Sequence, residues 1–416
     1  MERRVVIAAI FAHAMTHGME VAFAALLLRI GAEFGAGLAA LGIVANAGTI
    51  TFGSTAIPAG YLSDRYGERA VIAFSMAGGA ALCVLTAAAP NLTLLAVALA
   101  LLGAAIGLYH PPGTAMVATL SARRGRALAR HGVGGNIGLG VAPALVTAVA
   151  IVADWRAAYL VLGALALSAA VVVWRLVPGR DEAERERRRL RARELADPRR
   201  RAGSTPPRER SWVMPSLLLV YFAAVGQGFV YRGAITFLPA HLERNLQLSV
   251  LGWDAEAMAG ATATLVLLIG IGGQLLGGRM IDRMFSERAA LLFTVALVPA
   301  LLLMAPATGW LLVLASIGFV LGNWGQQPVF NSLMADYAPG GALGRAFGFQ
   351  FFMAFGLGSV SGSLSGIVAE RAGTGAAFVL LAAAALAMLV ALLFVLAGAE
   401  RRRHRSASAL AAREGA

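Results

Sequence analysis

Apolar residues fall into twelve runs of about 20 residues, the length that crosses a bilayer core as a helix. They cover 5–29, 37–62, 70–89, 92–117, 127–152, 157–177, 213–240, 257–281, 289–306, 309–334, 345–369 and 374–398. Met1-Glu2-Arg3-Arg4 before an apolar run is also how a signal peptide starts. The first run is too long for that, carries His13, His17 and Glu20 and has no small-residue cleavage site, so it reads as the first span. One stretch breaks the pattern. Asp181-Glu182-Ala183-Glu184-Arg185-Glu186-Arg187-Arg188-Arg189 predicts a short charged surface helix, and Pro198, Gly203 and Pro206-Pro207 predict a linker. The chain therefore divides into 1–179, a charged linker 180–211, a second half 212–399 and a basic tail 400–416.

The polar residues between runs repeat. Gly60-Tyr61-Leu62-Ser63-Asp64-Arg65-Tyr66-Gly67-Glu68-Arg69 is answered by Gly278-Arg279-Met280-Ile281-Asp282-Arg283, and Gly125-Arg126-Ala127 by Gly344-Arg345-Ala346. Pro111 and Pro328 hold comparable places, and the offset stays near 218 residues, as two fused copies of one membrane unit require. Glycines four apart, Gly134 with Gly138, Gly273 with Gly277, and Gly358, Gly362 and Gly366, have the spacing that lets helix backbones touch in lipid.

Composition strengthens this picture. With 58% hydrophobic and only 14% charged residues, a soluble fold of 416 residues could not cover its surface. The net charge of +13 would suggest nucleic acid were it not for its placement. Arg3, Arg4, Arg65, Arg69, Arg123, Arg124, Arg126, Arg279, Arg283, Arg288 and Arg345 fall on one side with the linker and tail; only Arg29, Arg156, Arg244 and Arg371 fall on the other. That asymmetry puts both termini in the cytoplasm. A single cysteine, Cys83, excludes a disulfide framework or cysteine metal cluster.

These motifs resemble the major facilitator superfamily over essentially the whole chain. Gly60, Asp64, Arg65, Gly67 and Arg69 match its loop between helices 2 and 3, with Glu68 in place of a usual Arg; the degenerate copy keeps Gly278, Asp282 and Arg283. Asp154-Trp155-Arg156 with Tyr159 is similar to the family's entry into helix 6. Tyr109-His110-Pro111-Pro112-Gly113, Gly125-Arg126-Ala127 and the run from Gly132 to Pro143 resemble fosmidomycin-resistance-type exporters. Two features depart from drug/proton antiporters: no Arg stands in the fourth helix, and Ala142 rather than Gly precedes Pro143. The resemblance implies an all-α membrane protein with twelve transmembrane helices in two pseudo-symmetric six-helix halves. It also implies a monomeric secondary transporter in the bacterial inner membrane, working by alternating access.

The candidate chemistry centres on the first helix, where His13, Thr16, His17 and Glu20 follow i, i+3, i+4, i+7 and share one face. Ionisable groups at mid-membrane cost several kcal/mol, so they are expected to face a cavity or a partner. Proton coupling, a static hydrogen-bond network and direct substrate contact all fit such a stripe. Aligning His17-Gly18 with Gln227-Gly228 sets Arg232 at the depth of Glu20, where it would either pair with Glu20 or snorkel to the interface. His110, Arg130 and His131 are candidates for a second, cationic site near the inner half of the cavity, with Arg130 otherwise belonging to the basic cytoplasmic end of the fifth helix. Asn46, Gln227, Asn323, Gln326, Gln327 and Asn331 are candidates for a polar substrate cavity or for bonds between helices. Gly60, Asp64, Arg65, Gly67, Arg69, Gly278, Asp282 and Arg283 read as a conformational latch, with Gly60 admitting a neighbouring helix and Asp64 capping the start of the eleventh.

There is no nucleophile-base pair, metal motif or phosphate loop, so neither an enzyme, a cofactor nor a metal is expected. The expected partners are the lipid bilayer, a small-molecule substrate and protons, with no nucleic acid. Proton-coupled export of a small organic or amphiphilic compound leads, uptake of an organic anion comes second, and a non-transporting membrane sensor is remote.

Overall fold

Gly, Pro and cap residues cut the apolar runs into helices where their chemistry requires it. The computed structural model describes residues 1–121, 124–196, 214–250, 252–281, 283–338, 346 and 349–414. The first half contains α1 (Glu2–Ala25), α2 (Leu27–Phe34), α3 (Leu38–Ser54), α4 (Ala56–Tyr66), α5 (Glu68–Ala87), α6 (Leu92–Gly107), α7 (His110–Thr119), α8 (Arg124–Val152) and α9 (Trp155–Leu176). After α10 (Arg180–Ala196) come α11 (Met214–Asn245), α12 (Ala255–Ile281), α13 (Ser286–Met304), α14 (Gly309–Tyr337), α15 (Ser361–Ala372) and α16 (Thr374–Glu414). A π turn, Phe352–Gly356, and a 3₁₀ turn, Leu357–Val360, lead into α15.

Local sequence explains the breaks. Asn91 caps α6 through the Leu94 N–H (2.9 Å), Asp154 caps α9 through that of Ala157 (2.7 Å), and Asp254 caps α12 through that of Ala257 (2.8 Å). Pro111 and Pro112 cannot donate to the preceding turn, so the run 92–117 breaks after Gly107 and α7 restarts at His110. Gly67 turns the chain at φ 82°, a conformation open to glycine, between α4 and α5.

Among the described residues, ten helices are long and apolar enough to cross a membrane, or eleven when the bent pair Leu27–Phe34 and Leu38–Ser54 counts as one span. The further run read at 309–334 is α14, 29 residues long but diluted by Asn323, Gln326 and Gln327. The bundle is inside-out by soluble standards: Leu94, Val97, Leu101, Val390, Leu393 and Phe394 all lie exposed on its outside, as a lipid-facing belt would.

Apolar side chains collect into two main cores. One is built mostly from helices before residue 180 around Leu26, Tyr109, Trp155 and Tyr159, with Phe237, Ala240, Ala369 and Ala377 joining it; the other is built mostly from α11–α16 around Phe319, Trp324, Phe330 and Phe378, with Val21, Leu139 and Ala142 joining it. Spaced glycines set the helix crossings. A Cβ on Gly134 would lie 2.6 Å from the Ile10 carbonyl oxygen, and one on Gly138 would strike the Ala14 backbone, so α8 sits directly on α1. Gly273 and Gly277 likewise bring α12 onto α14, and Gly362 and Gly366 bring α15 onto Gly42 of α3.

Among the described residues, helices before residue 180 meet those after 213 where α8 packs on α12, α3 on α15 and α1 on α11. At the first of these, Asn136 of α8 donates to Gln274 of α12, and beyond Pro143 the Ala144 N–H donates to Thr264 Oγ1 of α12 (3.0 Å). Two contacts pin the end of the bundle opposite the signature loops. Arg29 of α2 grips Glu256 of α12 with two donors, its Nε at 2.8 Å, and Glu370 of α15 accepts the Ala39 N–H at the start of α3 (2.7 Å). Neither was foreseen, because each partner lies over 200 residues away.

Candidate functional site

The polar face of α1 becomes a site because three other elements are brought against it. Gly134 and Gly138 press α8 onto α1 and carry His131 with them. The break before α7 places Tyr109 and His110 beside His13, and α11 supplies Arg232. His13 stacks on His131 with ring centroids 4.2 Å apart, and His110 lies edge-on to His13 at 5.2 Å and beside His17 at 5.1 Å.

Hydrogen bonds thread these groups together. Tyr109 OH donates to the Ala9 carbonyl (2.7 Å), so it accepts from His131 Nε2 (2.9 Å). His13 Nδ1 donates to the His131 carbonyl (2.8 Å). His13 Nε2 and His17 Nε2 are 3.1 Å apart and share a hydrogen bond. His17 Nδ1 contacts Glu20 Oε2, and the other carboxylate oxygen pairs with Arg232 Nη1.

Arg232 is 3% exposed and Glu20 side-chain exposure is 4%. With little water to screen them, each ion would be costly alone and the attraction between them is strong. The Arg232 guanidinium is also boxed by aromatic rings: Phe355 at 4.9 Å, Phe52 at 5.1 Å and Tyr231 at 5.3 Å from centroid to Cζ. Phe355 belongs to the π turn, whose extra residue per turn re-aims side chains at such places. Arg232 Nε and Nη2 are buried with no hydrogen-bond partner among the described residues. A cavity of about 50 Å³, room for a few water molecules, opens beside Glu20, Gly48, Thr49, Phe52 and Thr236.

One ring nitrogen from each of His13, His17 and His110 lies within 4.8 Å of the other two. The histidine nitrogens of His13 and His17 are engaged with a carbonyl, each other and Glu20, and Arg232 sets a fixed positive charge next to Glu20. The arrangement is a hydrogen-bonded array rather than a cradle for a cation.

Several expected residues fall elsewhere. Thr16 is buried, but its hydroxyl returns to the Ala12 carbonyl of its own helix (2.9 Å). Arg130 does not join His110 and His131. Neighbours on a helix point about 100° apart, and Arg130 is exposed in line with Val133, Ile137 and Val141, the outward stripe of α8. Gln326 turns away from the cavity to donate to Thr294 of α13 (2.8 Å). Asn323, Gln327 and Asn331 share a stripe but run from fully buried through half-buried to exposed, and both Asn323 side-chain polar atoms lack partners. Asn46 faces the α15 backbone near Gly362 with its Oδ1 unpaired, and Gln227 is buried on α11.

The signature loop also differs from expectation. Among the described residues, no atom outside its own helix lies within 4 Å of a Cβ position on Gly60 or Gly278. Asp64, Arg65 and Arg283 are exposed, Arg69 stacks its guanidinium on Trp174 (4.5 Å), and Asp282 lies outside the described residues, as does the start of the eleventh span. The loop is instead held by α10: Arg180 donates to the Arg65 carbonyl (2.9 Å), and Arg187 bonds Glu68 and Thr119 Oγ1 (3.1 Å). Glu68, the departure from the usual pattern, is what α10 grips.

Sequence reasoning missed Phe52, Tyr109, Tyr231 and Phe355. Tyr109 had a local signal, standing just before His110 and Pro111; the aromatic box around Arg232 had none.

Known proteins share this architecture. A model of the Major Facilitator Superfamily matches residues 6–363. A protein of Cupriavidus necator named as a probable sulfoacetate transporter is 29% identical over 310 residues, covering 70% of this chain and 68% of that one. Among solved structures, the inward-open xylose transporter of E. coli superposes with a TM-score of 0.73 at 14% identity, over 95% of this chain and 96% of that one. A bacterial homologue of the human lysosomal transporter Spinster, inward-facing and occupied, gives 0.70 at 14% identity with the same coverage.

Proposed function

From the premise that the chain belongs to the major facilitator superfamily, we propose that it carries a small organic anion across the membrane together with a proton, through one central site that opens alternately to the two sides. Membership makes it an integral membrane protein that works in a bilayer on small-molecule substrates and not an enzyme.

One observation carries the anion: Arg232 is buried between the halves with Nη1 on Glu20 and with Nε and Nη2 unpaired. Such an edge matches a carboxylate or sulfonate. The sequence alone puts export of a small amphiphile first, but a half-paired buried guanidinium favours an anion, and the sulfoacetate relative suggests a short organic acid. Anion entry against an interior-negative potential costs about 2.3 kcal/mol per charge for each 100 mV, and a proton travelling with it cancels one charge. The histidine array beside Glu20 supplies titratable groups for that proton. In this reading the halves 1–179 and 212–399, joined by linker 180–211, rock about the site. The Asp64-Arg65 latch closes in the outward-facing state, and the protein works as a monomer in a bacterial inner membrane with both termini cytoplasmic.

The test is uptake of labelled sulfoacetate and other short organic acids into proteoliposomes under an imposed pH gradient. Accumulation should follow an inward proton gradient. Arg232→Gln should cut it by about a hundredfold or more, since breaking a buried ion pair costs about 3–5 kcal/mol. Accumulation indifferent to the gradient and to Arg232→Gln refutes the proposal.

A further inference from the structure

The array of His13, His17 and Glu20 allows its protons to be counted. A carbonyl can only accept, so the contact of His13 Nδ1 with the His131 oxygen needs a proton from His13. The contact between the two Nε2 atoms needs a second, and that of His17 Nδ1 with Glu20 Oε2 a third. Two neutral imidazoles bring two protons and a carboxylate brings none. All three hydrogen bonds exist together only if the array holds one proton more than that.

We infer that the proton-binding site is the His17–Glu20 contact, and that loading it frees Arg232 for an anion. This rests on the proton-coupled reading above. The groups facing His17 and Glu20 are His13 on the same helix, His110 on α7, His131 on α8 and Arg232 on α11, with Tyr109 behind His13. The His131 carbonyl fixes the donor direction from one end. Arg232, which holds the other carboxylate oxygen, draws negative charge onto Glu20 at the far end. The extra proton therefore lies where imidazole and carboxylate meet.

Its departure to solvent leaves two bare acceptors, His17 Nδ1 and Glu20 Oε2, facing each other. They part, and the released carboxylate can take Arg232 with both oxygens, occupying the nitrogens that are now unpaired. Loaded, the site has one net positive charge and free guanidinium donors; unloaded, it is neutral and closed on itself. A monoanion thus binds with the proton and not without it.

The test uses the full chain in lipid nanodiscs, with ¹⁵N-labelled histidine and arginine and ¹³C-labelled glutamate, peaks being assigned by single substitutions. We expect His13 to carry its proton on Nδ1 and His131 on Nε2. The His17 Nδ1 and Glu20 carboxyl signals should move together as one proton leaves on raising the pH. In His17→Gln the Glu20 transition should shift by about one pH unit or more, a tenfold change in proton affinity. Methanesulfonate, read at the Arg232 Nε signal, should bind at least about tenfold more tightly to the loaded form. Signals of His17 and Glu20 that titrate separately or not at all, or methanesulfonate binding indifferent to their protonation, overturn the assignment. Gradient-driven transport alongside separate titration would sink this site and leave the proposed function standing; joint titration with gradient-independent transport would do the reverse.

Discussion

His241 and His17 are both enclosed by the bundle, and both have partners on each ring nitrogen. His241 donates from Nε2 to the Met304 carbonyl (2.9 Å) and receives Thr374 Oγ1 (2.8 Å) and Asn245 Nδ2 (3.1 Å) at Nδ1. A hydroxyl and an amide can donate, so one neutral imidazole satisfies every contact, and the site ties α11, α13 and α16 without a charge. His17 faces another imidazole on one side and a carboxylate on the other. Its contacts close only with an added proton. On the assignment proposed above, what separates these two histidines is whether their partners have protons of their own to give; burial does not distinguish them.

The largest break in that contrast comes at Arg232. Arg232→Ala strands Glu20 in an apolar box and should abolish transport and lower thermal stability; adding Glu20→Gln should restore much of the stability and none of the transport, as melting curves and uptake on the same preparations would show. Gly135→Ala comes next. A Cβ there would lie 2.6 Å from His13 Cε1, so the ring must shift off the His131 carbonyl. We expect about a tenfold loss of gradient-driven uptake with little loss of folded protein, although alanine alone would favour the helix.

His241→Asn is the reverse case. It removes bonds from a buried, satisfied site and should cost about 1–3 kcal/mol of stability, while the pH profile of uptake keeps its midpoint. A shifted midpoint would show that the two histidine sites are coupled. Arg130→Gln should do least: the side chain lies on the outward stripe of α8, and uptake should change by less than about twofold.

Much of this site was legible in the sequence where one helix carried it. The positions of His13, His17 and Glu20 follow from helical spacing alone, and the internal repeat set Arg232 at the depth of Glu20. The choice between Arg130 and His131 was not legible. Adjacent residues differ only by rotation about the helix, and rotation is fixed by the glycines that seat α8 on α1. The same limit applies to Gln326, which a stripe of amides made a cavity candidate and which bonds α13 instead. The signature loop was read as gripping the other half. That α10 holds it in this conformation depends on Arg187 meeting Glu68 across 119 residues of chain.

The sequence by itself determined a membrane bundle of one family and the helix that bears the polar stripe, because hydropathy, glycine spacing and i to i+4 periodicity act over a few turns. Only the tertiary structure decided that Glu20 stands between an imidazole and a guanidinium, that three aromatic rings enclose that guanidinium, and that two of its nitrogens stay free. Those relations join α1, α3, α11 and the π turn. Helix rotation and close backbone packing set them, and no local pattern encodes either.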